Sequence, residues 1–292
     1  MSVIKPFTHK QQYLIDRGDK LTDQLKSKVS QALGLSDLKI ETKRHCYIFS
    51  TPGAGKTFTV QSIAAQNNIK LVKVHGSVSM NAMTVQLATA VYLSKNKDII
   101  VWIDDCDTLF MDEEGLNVMK GALDEERNVF VWNKNMGSQI NRYLESDNPN
   151  DQIKGAALQA FQSVGTVGVE IPTDRVRFII TSNKELTAPS MLNKAKKVTK
   201  KMMHEAALRD RVIYEEFNLN DEDSWGWIAS VVMNNDVLGL DEAQKHYLLD
   251  WMNANWAKLT ATSMRAVKEL AAVMVNYPTE YPDHWDLSLS KG

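Results

Sequence analysis

The chain has 292 residues, 43% of them apolar and 24% charged, with a net charge of -2 at neutral pH. That length can bury one large core and a smaller one. The near balance of charge excludes a globally basic nucleic-acid binder, so any such contact needs a local patch. The two cysteines, Cys46 and Cys106, sit in apolar runs, and the six histidines form no pair at metal-ligand spacing. The N-terminus has no apolar leader and no run reaches membrane-spanning length. The expectation is a soluble, cytoplasmic protein with reduced thiols and no contact with membrane.

Residues 8–33 place Tyr13, Leu14, Leu21, Leu25, Val29 and Leu33 at helical spacing, and Gly34, Ser36 and Asp37 end the pattern. Five strand-like runs then alternate with helical stretches: Cys46–Phe49, Lys70–Val74, Ile99–Ile103, Val176–Thr181 and Val212–Leu219. Such alternation predicts a parallel sheet covered on both faces. Ligands in such sheets bind at the carboxyl ends of the strands. Those ends here are the loop after Phe49, the pair Asp104-Asp105, and Thr181-Ser182-Asn183. Beyond residue 219 the strands stop, and Asp223–Asn234, Asp241–Leu259 and Ser263–Val275 read as three helices of a small domain. The tail to Gly292 carries Tyr281, Pro282, Trp285 and Leu287. It reads either as a strap over the protein's own surface or as a segment that docks on a neighbour.

The loop itself is Ser50-Thr51-Pro52-Gly53-Ala54-Gly55-Lys56-Thr57, followed by Phe58. A glycine-bearing loop between strand and helix aims backbone N–H groups at an anion. In this pattern the lysine reaches the β- and γ-phosphates, and the following hydroxyl takes a place on Mg²⁺. Gly53 and Gly55 let the backbone approach the phosphates without a Cβ in the way. The first glycine of the usual pattern is replaced by Ser50, which asks for a relaxed dihedral there. The loop implies a site for a nucleoside triphosphate. Ile99–Ile103 is an apolar strand that would deliver Asp104 to that loop, to hold Mg²⁺ beside Thr57. Asp105 would then polarise the attacking water, with Asp107 as the substitute if Asp105 does not.

Three of these segments resemble the Walker A, Walker B and sensor-1 motifs of the AAA+ ATPases: Ser50–Thr57, Ile99–Asp105 with Asp107 and Leu109, and Phe178–Asn183. Ala207-Leu208-Arg209-Asp210-Arg211 is similar to the family's arginine-finger segment, and Ser263–Leu270 to its sensor-2 helix. The resemblance covers roughly residues 40–277 in the family's order. It implies a P-loop NTPase fold, a three-layer α/β/α arrangement with a parallel sheet of strand order 5-1-4-3-2 and a helical lid. The implied division is a helical segment 1–39, a nucleotide-binding domain 40–219 with an insertion at about 128–175, a lid 220–277 and a tail 278–292. It further implies ATP and Mg²⁺ as cofactors, with Asn183 orienting water or sensing the γ-phosphate. Arg265 would reach that phosphate from the lid. Arg211, or else Arg209, would reach the nucleotide of the next subunit in a homo-oligomeric ring, expected to be a hexamer. The family's Walker B usually ends Asp-Glu, and here it ends Asp-Asp, so slow hydrolysis is expected.

The insertion has β-type runs at each end, Asn128–Trp132 and Gly165–Pro172, with a polar segment through Asp151 and a helical patch at Gly155–Phe161 between them. It resembles the pre-sensor-1 hairpin of the branch that holds the MoxR-like, Lon-like and RuvB-like proteins; the alternative is a surface loop of this chain's own. Residues Gly76–Asn81 occupy the position of an aromatic pore loop but offer only Val78 and Met80. Lys194, Lys196, Lys197, Lys200 and Lys201 lie on an expected helix, as a solvated face, a phosphate-backbone contact or a partner for an acidic neighbour. The first expectation is a remodeller of a protein client, the second a DNA-directed loader or motor, and the third an ATP-gated assembly scaffold.

Overall fold

The computed structural model describes residues 6–36, 43–163, 168–259 and 261–289. Asp37, residues 165–167 and the side chain of Leu287, all named above, lie outside the described residues. The chain opens with α1 (His9–Ala32), β1 (Cys46–Phe49), α2 (Lys56–Gln66), β2 (Leu71–His75), α3 (Met80–Ser94) and β3 (Ile99–Asp104). A 3₁₀ turn at Asp107–Phe110 leads to α4 (Glu113–Ala122), β4 (Val129–Trp132), α5 (Gly137–Leu144), α6 (Pro149–Ala160) and β5 (Val169–Pro172). There follow β6 (Val176–Ser182), α7 (Pro189–Leu192), α8 (Lys200–Asp210) and β7 (Ile213–Glu216). The last elements are α9 (Asp221–Asn234), α10 (Glu242–Asn255), a 3₁₀ turn at Trp256–Lys258, α11 (Met264–Asn276) and α12 (Tyr281–Leu289).

The chain divides into two compact units. The larger holds residues 27–50 and 57–216 and is built on a parallel sheet of order β2-β3-β6-β1-β7. Renumbered by those five strands alone, this is the expected 5-1-4-3-2 order. Both parities of the central strands are buried: Phe49, Val101, Ile103, Phe178 and Ile180 on one face, Ile48, Trp102 and Ile179 on the other. Only a sheet covered by helices on both sides buries both parities, and the near-continuous apolar runs of β1, β3 and β6 follow from that.

The insertion departs from its reading. Its two β-runs do pair, antiparallel from Val129 opposite Pro172 to Trp132 opposite Val169. The polar segment after Trp132 is not irregular, however. It contains α5, and α6 begins at Pro149, six residues before the expected helical patch, capped by the Asn148 side chain. Phe130, Trp132, Ile140, Leu158 and Ile171 belong to the main buried cluster, and α6 packs on α3. The segment is thus a folded extension of the core and not a surface loop. The turn after β2 also differs from its reading, because Val78 is buried in the same cluster and cannot be offered to a client. The lysine cluster is only partly helical: α8 begins at Lys200, and Lys194, Lys196 and Lys197 precede it in turns.

The smaller unit holds residues 1–26, 51–56 and 217–292. Its helices start where the sequence supplies caps: Asn220 for α9, Asp241 in a capping box with Gln244 for α10, and Ser263 for α11. The first turns of α1 lie close on α9, where a Cβ on Gly18 would meet the Gly226 carbonyl at 2.3 Å. Arg17 pairs with Asp223 at 2.8 Å beside this crossing. The tail is a strap on its own unit: α12 buries Trp285, whose indole N–H donates to the Leu270 carbonyl at 3.1 Å. No helix among the described residues is long and apolar enough to cross a membrane.

Candidate functional site

The glycine loop carries its two glycines in left-handed backbone, Gly53 at φ 86° and Gly55 at φ 79°. Each is also crowded. A Cβ on Gly53 would lie 2.6 Å from Ser263 Cβ, and one on Gly55 would lie 2.5 Å from the Trp227 ring. Both conformation and space therefore demand glycine here. Ser50 is buried, keeps ordinary backbone, and donates its N–H to the Ser182 carbonyl at 3.3 Å. The missing first glycine thus imposes no strain. Thr51, Pro52, Gly53 and Phe58 are exposed, and Ala54 and Gly55 half-buried. Lys56 opens α2, is buried, and holds its Nζ 3.5 Å from the Thr51 carbonyl.

In the larger unit, Asp104 ends β3 with a buried carboxylate that three side chains reach. Thr57 Oγ1 donates to Oδ1 at 2.9 Å and Thr181 Oγ1 to the same oxygen at 2.7 Å. The Trp102 indole N–H donates in turn to Thr181 Oγ1 at 3.0 Å, so that hydroxyl is oriented from behind. On the other oxygen sits a group the sequence reading did not find: Lys73 Nζ lies 3.2 Å from Oδ2 and 4.3 Å above the Trp102 ring. Only the register of β2 on β3, Lys73 beside Trp102 and His75 beside Asp104, brings it there. A carboxylate and a hydroxyl within hydrogen-bond distance are the hard oxygen donors that suit Mg²⁺, so Thr57 and Asp104 fit that ion.

Asp105 leaves the strand at φ 52°, a left-handed conformation that Asp and Asn tolerate better than most side chains. Its N–H donates to the Thr181 carbonyl at 3.0 Å, and the turn puts the carboxylate on the surface. Asn183 Nδ2 donates to Asp105 Oδ1 at 3.3 Å. Asp107 does not compete for that place. Its Oδ1 accepts from Ser182 Oγ at 2.5 Å and from the Asn183 N–H at 3.3 Å, which fixes the end of β6. The two strand ends therefore present Asp105 and Asn183 as an exposed pair, beside buried Asp104, Thr181 and Ser182 and half-buried Asp107.

The arginines are disposed differently. Arg211 is clamped within its own unit by Asp124, with Nη2 2.8 Å from Oδ2. Arg209 lies over the Tyr214 ring at 3.7 Å and donates to the Leu186 carbonyl at 2.8 Å. Arg265 is exposed in the first turn of α11, two residues past Ser263. Of the basic cluster, Lys200 faces Glu113 at 3.6 Å. Cys46 and Cys106 are free and buried, and burial pushes their thiols up to about 12 and about 11.

The model of the ATPase family associated with various cellular activities (AAA) matches residues 46–206, more than half of the chain. That span begins at β1 and takes in the glycine loop, the end of β3, the insertion, β6 and most of α8. A comparison with curated proteins finds no match.

Proposed function

The chain belongs to the AAA family of ATPases, and on that footing we propose that it is a Mg²⁺-dependent ATPase that remodels a protein client. The observation that carries this reading is the meeting of Thr57 with Asp104, directly beneath the exposed pair Asp105 and Asn183. In this reading the loop from Ser50 to Phe58 binds the nucleotide, with Lys56 neutralising the β- and γ-phosphates. Thr57 and Asp104 hold Mg²⁺, which supplies charge neutralisation on the phosphate oxygens when bound. Asp105 takes the proton-accepting face of the attacking water and Asn183 fixes that water's orientation. Arg265 senses the γ-phosphate from the helical unit.

The subunits form a cytoplasmic ring of six in which Arg211, with Arg209 as the substitute, completes the neighbour's site. A protein client is preferred over DNA because net charge is slightly negative and one of the five clustered lysines already faces an acid of its own chain. The test is ATP turnover in the presence of an unfolded model protein, single-stranded DNA or duplex DNA. Stimulation by protein alone is the expected result. Stimulation by DNA alone would move the client to the second class.

A second reading, an ATP-gated scaffold with little hydrolysis, is favoured by one observation: Arg211 is engaged by Asp124 of its own chain. An assembly that persists unchanged while ATP is consumed would support it.

A further inference from the structure

Asp104 is shared between hydroxyl donors and an ammonium group. Strand register sets Lys73 and Asp104 on the same face of neighbouring strands, and Lys73 Nζ lies 3.2 Å from Asp104 Oδ2. The same ammonium lies 4.3 Å over the Trp102 ring, whose indole N–H holds Thr181 against the opposite carboxylate oxygen. Ring, hydroxyl and ammonium thus form one assembly around a single carboxylate. The Asp104 side chain is 8% exposed and that of Lys73 35%, so the ammonium has a path to water that the carboxylate lacks.

We propose that Lys73 is a tethered counter-ion that occupies Asp104 Oδ2 and competes with the divalent cation there, so that it sets how much Mg²⁺ the site requires. This rests on Thr57 and Asp104 being the Mg²⁺ ligands. A unit positive charge a few ångströms from a divalent ion weakens that ion's binding strongly in partly buried surroundings. In the absence of metal the same charge offsets a carboxylate that would otherwise be buried without a cation. Lys73 therefore keeps the strand end intact without metal and yields as the metal enters, by turning its head group toward solvent.

The experiment is a titration of Mn²⁺ into the full chain saturated with ADP, with free Mn²⁺ read from its solution EPR signal. It compares wild type, Lys73→Met, Lys73→Arg and Asp104→Asn. Lys73→Met keeps an unbranched side chain and loses the charge, and should bind Mn²⁺ about tenfold more tightly, while Lys73→Arg should stay within about twofold of wild type. Asp104→Asn should bind more weakly than wild type. Should the Met variant not fold, Lys73→Gln makes the same comparison. Equal affinity in wild type and the neutral variant, with Asp104→Asn weakened, overturns the role of Lys73 and leaves the ATPase reading standing. Tightening by both Met and Arg overturns it as well, because packing and not charge would then be the cause. Equal affinity in all four proteins overturns the Mg²⁺ assignment of Asp104 together with the inference.

Discussion

Arg211 and Asp124 make a two-point contact, with Nε at 3.0 Å and Nη2 at 2.8 Å from the same carboxylate oxygen. Nη1 donates to the Ala207 carbonyl at 2.7 Å, so every nitrogen of the guanidinium is engaged. The other Asp124 oxygen accepts the N–H groups of Glu126 and Arg127, both at 3.1 Å. Burial pushes the Asp124 carboxyl up, but the hydrogen bonds from Arg211 and these two N–H groups outweigh it and hold it below the ordinary range.

Any service of Arg211 to a neighbouring subunit therefore requires this contact to open. Arg211→Ala should bind ATP nearly normally and lose turnover by about 10³- to 10⁵-fold, the usual contribution of an arginine finger. Asp124→Asn, which loosens the hold without removing the arginine, should turn over at least as fast as wild type. Mixing Arg211→Ala with Lys56→Ala should recover activity at junctions where the intact halves meet. The check is ATPase rate against mixing ratio in preparations shown to co-assemble. Rates that stay at the two baselines would assign Arg211 to its own subunit and bring Arg209 to the same trial.

Lys56→Ala should abolish nucleotide binding, and any ATP-dependent assembly with it, because no other side chain of the loop carries a positive charge. Equilibrium titration with a fluorescent ATP analogue, beside a thermal melt to verify folding, is the measurement. Wild-type affinity in a folded Lys56→Ala protein would remove the loop from the function.

At Asp105 the backbone matters as much as the carboxylate. Asparagine shares aspartate's tolerance of positive φ, so Asp105→Asn should keep the fold and ATP binding while removing most hydrolysis. Asp105→Glu should hold or raise turnover if reach is what limits the wild type, at a small cost from the left-handed backbone. Single-turnover rates decide. If both variants hydrolyse ATP as the wild type does, Asp105 is not the residue that polarises water.

His45 provides a pH test remote from the chemistry. Burial first, then the neighbouring charges of Arg44 and Arg177, lower its pKa from 6.5 to about 3, and its Nδ1 accepts the Phe178 N–H at 3.1 Å. In this window the unfolded chain binds a proton that the folded chain refuses, so stability is intact above pH 6.5 and falls as pH drops toward 3. The slope is about 1.4 kcal/mol per pH unit. Between pH 7 and 5 the wild type should lose about 2 kcal/mol more than His45→Gln, which retains an acceptor for that N–H and does not titrate. Urea midpoints at the two pH values are the readout, and equal losses would mean that His45 is protonated in the fold.

The sheet was legible because β1, β3 and β6 are buried on both faces, and such strands are written as unbroken apolar runs. The site was legible where chemistry is local: Gly53, Gly55, Lys56 and Thr57 are consecutive or nearly so, and Asp104 and Asp105 end a strand. What depends on register was not. Lys73 reads as one charge in an edge strand, and only pairing with β3 sets it against Asp104. Likewise Asp124 stands 87 residues from Arg211, and no local pattern joins them. Helix α5 escaped notice because it is only eight residues long within a polar stretch, although Ile140, Tyr143 and Leu144 fall at helical spacing and face the core.

The pairing of β4 with β5 has an architectural consequence. The chain leaves the two-stranded ladder at Trp132 and returns to it at Val169, one rung of the same ladder. The stretch between them, α5 and α6 included, is joined along the chain to the rest of the fold through that single rung, so another module could take its place without breaking the pairing of β3 with β6. The limit is that a replacement must refill the places of Ile140 and Leu158 in the buried cluster. Such a cassette gives a single catalytic chassis a route to new tasks, and transplanting it between related ATPases would carry over whatever recognition it contains while leaving the nucleotide chemistry behind.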